Sequence, residues 1–111
     1  MAERCVLVLT TAGSADQADG LAQALVERRL AACVNVVAGV RSTYRWRGVI
    51  EREAELLLVI KTVERLFEPV RAAIRELHGY ELPEVVCVPL AAGDPDYLRW
   101  LEESVRAPSP D

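Results

Sequence analysis

The chain has 111 residues and a mass of 12.3 kDa, enough for one domain but not for two domains closing around a cofactor. Hydrophobic residues make up 51% and charged residues 27%, the balance of a folded globule rather than a disordered chain. The 17 acids against 13 Lys and Arg leave a net charge of −4, the wrong sign for a protein that binds by neutralising many phosphates.

Residues 5–11 read as a strand that is apolar on both faces, too short to be the core of a signal peptide. The longest unbroken apolar run, 56–60, is far too short to cross a bilayer. Cys5, Cys33 and Cys87 are odd in number and widely spaced, without a C-x-x-C pair. That pattern fits a reducing compartment, and a cytoplasmic protein without membrane contact is expected.

After a turn at Ala12-Gly13, Ser14 and Gln17 make a capping-box signature. Ala18, Leu21, Ala22, Leu25 and Val26 then recur at helical spacing, predicting a helix over 15–30. Residues 32–37 form a second strand, and 40–50 continue extended around a turn at Arg47-Gly48. The return strand covers 49–62, so the hairpin is long for so small a domain. Val63, Leu66, Phe67, Val70, Ile74 and Leu77 mark a second helix starting near Pro69. His78-Gly79 is expected to close it, with the glycine left-handed. A last strand over 85–90 carries Pro89, which implies a sheet edge. A terminal helix over 95–105 holds Tyr97, Leu98, Trp100 and Leu101. The domain is thus 1–106, and 107–111 is expected to be a disordered tail.

The order β-α-β-β-α-β predicts an α+β, ferredoxin-like sandwich with an extra C-terminal helix. Its first and third strands are central, and both main helices cover one face. The other face should then alternate with polar residues, yet Val6-Leu7-Val8-Leu9 and 56–60 are apolar at every position. A homo-oligomer with sheets facing inward satisfies both faces; the alternative is a terminal helix folded across the open one. Along the hairpin, Ser42, Tyr44 and Trp46 share one side, with Arg41, Thr43, Arg45 and Arg47 on the other. Tyr44 and Trp46 cannot be buried in the arm's own small core and are expected at a subunit interface. Four arginines beside aromatics suggest nucleic acid, but Glu51, Glu53, Glu55 and the acidic total oppose it.

No G-x-S-x-G, Walker loop or G-x-G-x-x-G occurs. An acylphosphatase-like anion site is opposed by the absence of any Arg or Lys between Arg4 and Arg28. The chain therefore reads as a non-enzyme. His78 is the single histidine, so no two-histidine metal site forms within one chain. The remaining soft or borderline ligands are the three thiols, joined by Glu81 and Glu84. Lys61 directly follows the apolar run, and Glu84 precedes the last strand. Lys61, Tyr80, Glu84 and His78 together suggest either a polar pocket between subunits or a structural salt bridge there.

Five segments carry a family resemblance: 24–35 with Ala31-Ala32-Cys33, Ser42-x-Tyr44-x-Trp46-x-Gly48, Ile60-Lys61-Thr62, Leu77-His78-x-Tyr80-Glu81-x-Pro83-Glu84, and Tyr97-Leu98-x-Trp100-Leu101. In this order they resemble the CutA divalent-cation tolerance proteins over almost the whole chain. The resemblance implies a homotrimer of ferredoxin-like subunits and a role in the response to divalent metals, Cu2+ in particular. It implies no organic cofactor. Cys33, His78 and Glu84 are the implied metal ligands, and Trp46, Lys61 and Tyr80 the residues of an intersubunit cleft. Gly79 departs from the family, which usually has proline there. The trimer is also similar to that of the PII signalling proteins, so the alternative is a signalling or adaptor trimer that binds a small anion or metabolite.

Overall fold

The computed structural model describes residues 3–106, so the expected tail at 107–111 lies outside the described residues. The elements are β1 (Cys5–Ala12), α1 (Ala15–Glu27), β2 (Cys33–Trp46), β3 (Val49–Val63), α2 (Phe67–Leu77), β4 (Val86–Pro89) and α3 (Pro95–Ser104). The strands form one sheet in the order β2-β3-β1-β4, every pair antiparallel. This is the ferredoxin-like α+β arrangement, with β1 and β3 central and the Pro89 strand at an edge.

Local chemistry sets the helix ends. The Ser14 hydroxyl accepts the Gln17 N–H at 3.1 Å, and the Gln17 side chain returns to accept the Gly13 N–H at 3.3 Å, so the first orphan donors are satisfied reciprocally. α1 ends at Glu27, three residues short of the expected 15–30. Leu30 donates its N–H to the Leu25 carbonyl at 2.9 Å and Arg29 donates to Val26 at 3.1 Å. With Arg29 at φ 56, this is a Schellman closure on a non-glycine residue, and it turns Leu30 and Ala31 back against the core.

A 3₁₀ turn, Glu64–Leu66, leads into α2, which starts at Phe67 rather than Pro69. Pro69 sits in the first turn, where its missing N–H would have had no partner. The helix stops because His78 turns extended, φ −83 and ψ 144; Gly79 is not left-handed, contrary to expectation. His78 is instead drawn to the end of β1, as described below.

α1 and α2 cover one face of the sheet. Val6, Val8, Leu58 and Ile60 meet Leu21, Leu25, Val70 and Ile74, all at most 2% exposed, each burial worth about 1.5–3 kcal/mol. The opposite face is read from the register. Leu7 opposes Lys61 and Val88, Leu9 opposes Val59 and Val86, and Thr11 opposes Leu57. Cys33 opposes Lys61, and Asn35 opposes Val59. α3 covers only one end of this face, where Leu101 and Val105 pack on Cys5 and Val63. Leu7, Leu9, Leu57 and Val59 remain partly exposed, and Val37, Val86 and Val88 are 41–46% exposed. The terminal helix therefore does not close the open face.

Beyond this sheet β2 and β3 continue as a two-stranded arm, closed by Arg47 at φ 51 and Gly48 at φ 83. Two successive positive φ values give the turn the twist a tight hairpin needs. Between Val37 and Val40 the register shifts. Gly39, at φ 84, supplies the left-handed residue of a bulge there. The extra residue reverses parity: Cys33, Asn35 and Val37 share the open face before it, and Val40, Ser42, Tyr44 and Trp46 after it. The inner side of the arm thus continues the open face, while Arg41, Thr43 and Arg45 point to the helix side.

Candidate functional site

Where the arm meets the sheet, β3 presents Glu55 on the open face, only 8% exposed. Tyr80, from the loop after α2, donates its hydroxyl to Glu55 Oε2 at 2.8 Å. Burial alone would raise the Glu55 pKa, but hydrogen bonds from Ser42, Tyr80 and Thr11 outweigh it and hold the carboxyl below its usual 4.5. The Tyr80 phenol moves the other way, pushed up to about 12 by burial and by its bond to the carboxylate. The pair therefore holds one anion and one neutral donor at neutral pH.

His78 fixes the loop from behind. Its Nε2–H donates to the Thr11 carbonyl at 2.6 Å, while Nδ1 accepts the Tyr80 N–H at 3.0 Å. These partners define a neutral imidazole with both nitrogens occupied. The His78 and Tyr80 rings lie 4.4 Å apart. Gly13 lies against Tyr80, where a Cβ would come within 3.0 Å of the hydroxyl. A larger residue there would lever the phenol away from Glu55.

These groups border a cleft of about 720 Å³ walled by Trp46, Tyr44, Tyr80, Glu53, Glu55 and Glu84. At its rim Arg47 donates to both oxygens of Glu81 at 3.1 Å. The same guanidinium lies 5.3 Å from the centre of the Trp46 ring.

Of the residues expected to form a polar pocket, Tyr80 and Glu84 share this cleft, with His78 behind it; Trp46, expected in an intersubunit cleft, lines it too. Lys61 does not join them in one subunit. It opposes Leu7 and Cys33, and its Nζ lies 5.8 Å from the Tyr97 ring centre. Thr11 and Leu7 are four residues apart on β1, about 13 Å, so strand register alone separates the two ends. Cys33 belongs to the Lys61 end, away from His78 and Glu84. Among the described residues no three His, Cys, Asp or Glu side chains come together as a metal requires. With the His78 nitrogens also engaged, Cys33, His78 and Glu84 of one subunit do not fit a metal site. Sequence reasoning missed Glu55 as a central residue. Its signal was its parity with Leu57, Val59 and Lys61, which puts a carboxylate on the apolar face.

Residues 6–104 match the family model described as CutA1 divalent ion tolerance protein. The chain belongs to this family. It is 46% identical over 98 residues to the divalent-cation tolerance protein CutA of Thermus thermophilus, covering 88% of this chain and 95% of that one. It is 39% identical over 101 residues to the chloroplastic protein CutA of Arabidopsis thaliana; this covers 91% of the chain but 56% of that longer relative. The structure of CutA1 from Oryza sativa superposes with a TM-score of 0.92 at 36% identity, covering 95% of this chain and 96% of that one. The family and fold expected from the five sequence segments are thereby borne out. The PII-like signalling alternative is not favoured by these CutA1 matches.

Proposed function

We propose that this CutA1-family protein serves divalent-cation tolerance as a cytoplasmic homotrimer that holds Cu2+ or a similar divalent ion at a site shared between subunits. The observation that carries this reading is the open, largely apolar sheet face with Cys33 on it. Apolar surface left in water forfeits about 25 cal/mol per Å², so the face is built to be covered, and a second copy presents the same chemistry. Tyr44 and Trp46 extend that face along the arm and pack on a neighbouring copy.

A threefold assembly supplies every donor three times. Cys33, His78 and Glu84, separated within one subunit, are then offered from several copies at each boundary, together with Lys61, Trp46 and Tyr80. The Cys33 thiol is the soft donor that suits copper, and His78 would have to release one of its present partners to bind. The family description supports a binding and tolerance role rather than catalysis, and the unpaired cysteines support a reducing compartment.

Calorimetric titration with Cu2+ tests the reading on the wild type and Cys33→Ser. The expected result is a loss of affinity of about tenfold or more, about 1.4 kcal/mol. Superimposable curves, or wild-type binding no tighter than millimolar, would remove Cys33 from the site.

A further inference from the structure

We infer that the outer side of the β2–β3 arm binds a small anion carrying several linked phosphate groups, through Arg41, Arg45, Arg52 and Thr43. The site goes beyond divalent-cation tolerance and uses none of the residues assigned to it above. It lies on the outside whether the chain stands alone or assembles through its open face.

The first support is a separation of charge across the arm. Residues directly opposite each other in an antiparallel pair share a side. Arg41 opposes Ala54, Thr43 opposes Arg52 and Arg45 opposes Ile50, and all of them are exposed. On the other side Glu51 opposes Tyr44, Glu53 opposes Ser42 and Glu55 opposes Val40. The glutamates that offset the arginines in the sequence are therefore turned away from them, onto the side that a neighbouring copy covers. What remains outward is cationic.

The second support is that these guanidinium groups are free. Arg4, Arg28, Arg47, Arg65, Arg71 and Arg99 each form an ion pair with a carboxylate. Among the described residues Arg41, Arg45 and Arg52 form none, and Arg45 makes only a long bond, 3.4 Å, to the Gly48 carbonyl. Glu53 borders the cavity of about 470 Å³ between Arg41, Thr43 and Arg52, but it bonds to neither arginine. Packing this side on another subunit would take three unpaired cations out of water, a large penalty. An assembly through the apolar face leaves them in solvent.

The third support is spacing. Arg52, opposite Thr43, is flanked on the neighbouring strand by Arg41 and Arg45, each about 8 Å away between Cα atoms from the rise and separation of strands. A guanidinium holds two phosphate oxygens in its fork, and the Thr43 hydroxyl adds a donor among the three. A single orthophosphate engages these forks one at a time, whereas a short chain of phosphates engages all of them. A nucleic-acid strand fits less well. It would run past the patch, whose pull reaches about 10 Å at 0.1 M salt, onto a chain of net charge −4. Nor does this side offer an aromatic ring to stack a base, since Tyr44 and Trp46 lie on the other.

Calorimetry on the full chain in its native assembly, in metal-free buffer at about 0.1 M salt, uses tripolyphosphate as the probe, with orthophosphate and an oligothymidylate for comparison. Tripolyphosphate is expected to bind with Kd below about 1 mM, orthophosphate at least about tenfold more weakly, and the oligothymidylate more weakly than tripolyphosphate. Arg52→Gln should weaken tripolyphosphate about tenfold and Arg41→Gln about fivefold. Arg75→Gln removes an exposed arginine of α2 that also forms no ion pair among the described residues, and it should change the affinity less than about twofold. All three substitutions fall at exposed positions outside the core, so the fold survives them. No binding of tripolyphosphate, equal binding of orthophosphate, tighter binding of the oligothymidylate, or an equal loss in Arg75→Gln would each overturn the proposal.

Discussion

Tyr80 and Glu55 each fix the charge state of the other: the phenol donates to the carboxylate at 2.8 Å, keeping it ionised, and the anion keeps the phenol protonated. Tyr80→Phe should cost about 1 kcal/mol, the worth of one hydrogen bond to a partly exposed donor. The pH dependence has two signs. Glu55 is depressed on folding, so its contribution is complete above the ordinary 4.5 and lost as pH falls through the lower folded value. Tyr80 is raised, so its contribution is complete below 10 and lost as pH rises from 10 through about 12. Urea unfolding across both limbs should show the alkaline and acid losses both reduced in Tyr80→Phe, the rest of the alkaline loss coming from the raised Cys5, Cys87 and Tyr44. An unchanged alkaline limb would show that Tyr80 does not titrate against Glu55.

Arg29 holds φ 56 at the closure of α1, a conformation that strains a side chain carrying Cβ by about 1 kcal/mol. Its other contact is a long bond from the guanidinium to the Ser104 carbonyl at 3.4 Å, worth little on an exposed surface. Arg29→Gly should therefore stabilise the protein by about 0.5–1 kcal/mol, read as a higher denaturation midpoint at constant slope. A lower midpoint would give the Ser104 contact more weight than the backbone strain.

At Gly79 the family resemblance implies proline. His78 at ψ 144 already has the extended conformation that a residue before proline adopts. A Cβ at 79 meets only the far end of the flexible Gln17 side chain, at 3.0 Å. Gly79→Pro should thus raise stability by about 0.5–1 kcal/mol through the unfolded state and leave the alkaline titration of Tyr80 unchanged. A fall in the thermal midpoint would mean that the loop uses freedom proline lacks.

The strand order and the buried face were legible because 3.6-residue and alternating periodicities report which side chains face inward. Ser14 with Gln17 and Arg47-Gly48 were legible from turn chemistry. The early end of α1 was not, since Arg29 carries no glycine signal for its left-handed closure. Nor was the split between the Lys61 and Tyr80 ends, because register is set by pairing across strands: Leu7 against Lys61, Thr11 against Leu57. Gly39 within a strand was the available sign of the bulge that carries Ser42, Tyr44 and Trp46 onto the same face as Glu55.

The open face between α3 and the arm is covered in the trimeric assembly proposed above, and sedimentation equilibrium at low micromolar concentration tests that assembly most directly. The predicted mass is close to three times the 12.3 kDa chain, and Val59→Glu, placing a charge opposite Leu9 and Asn35, should reduce it to that of one chain. A wild-type protein that sediments as a stable 12.3 kDa monomer would contradict it.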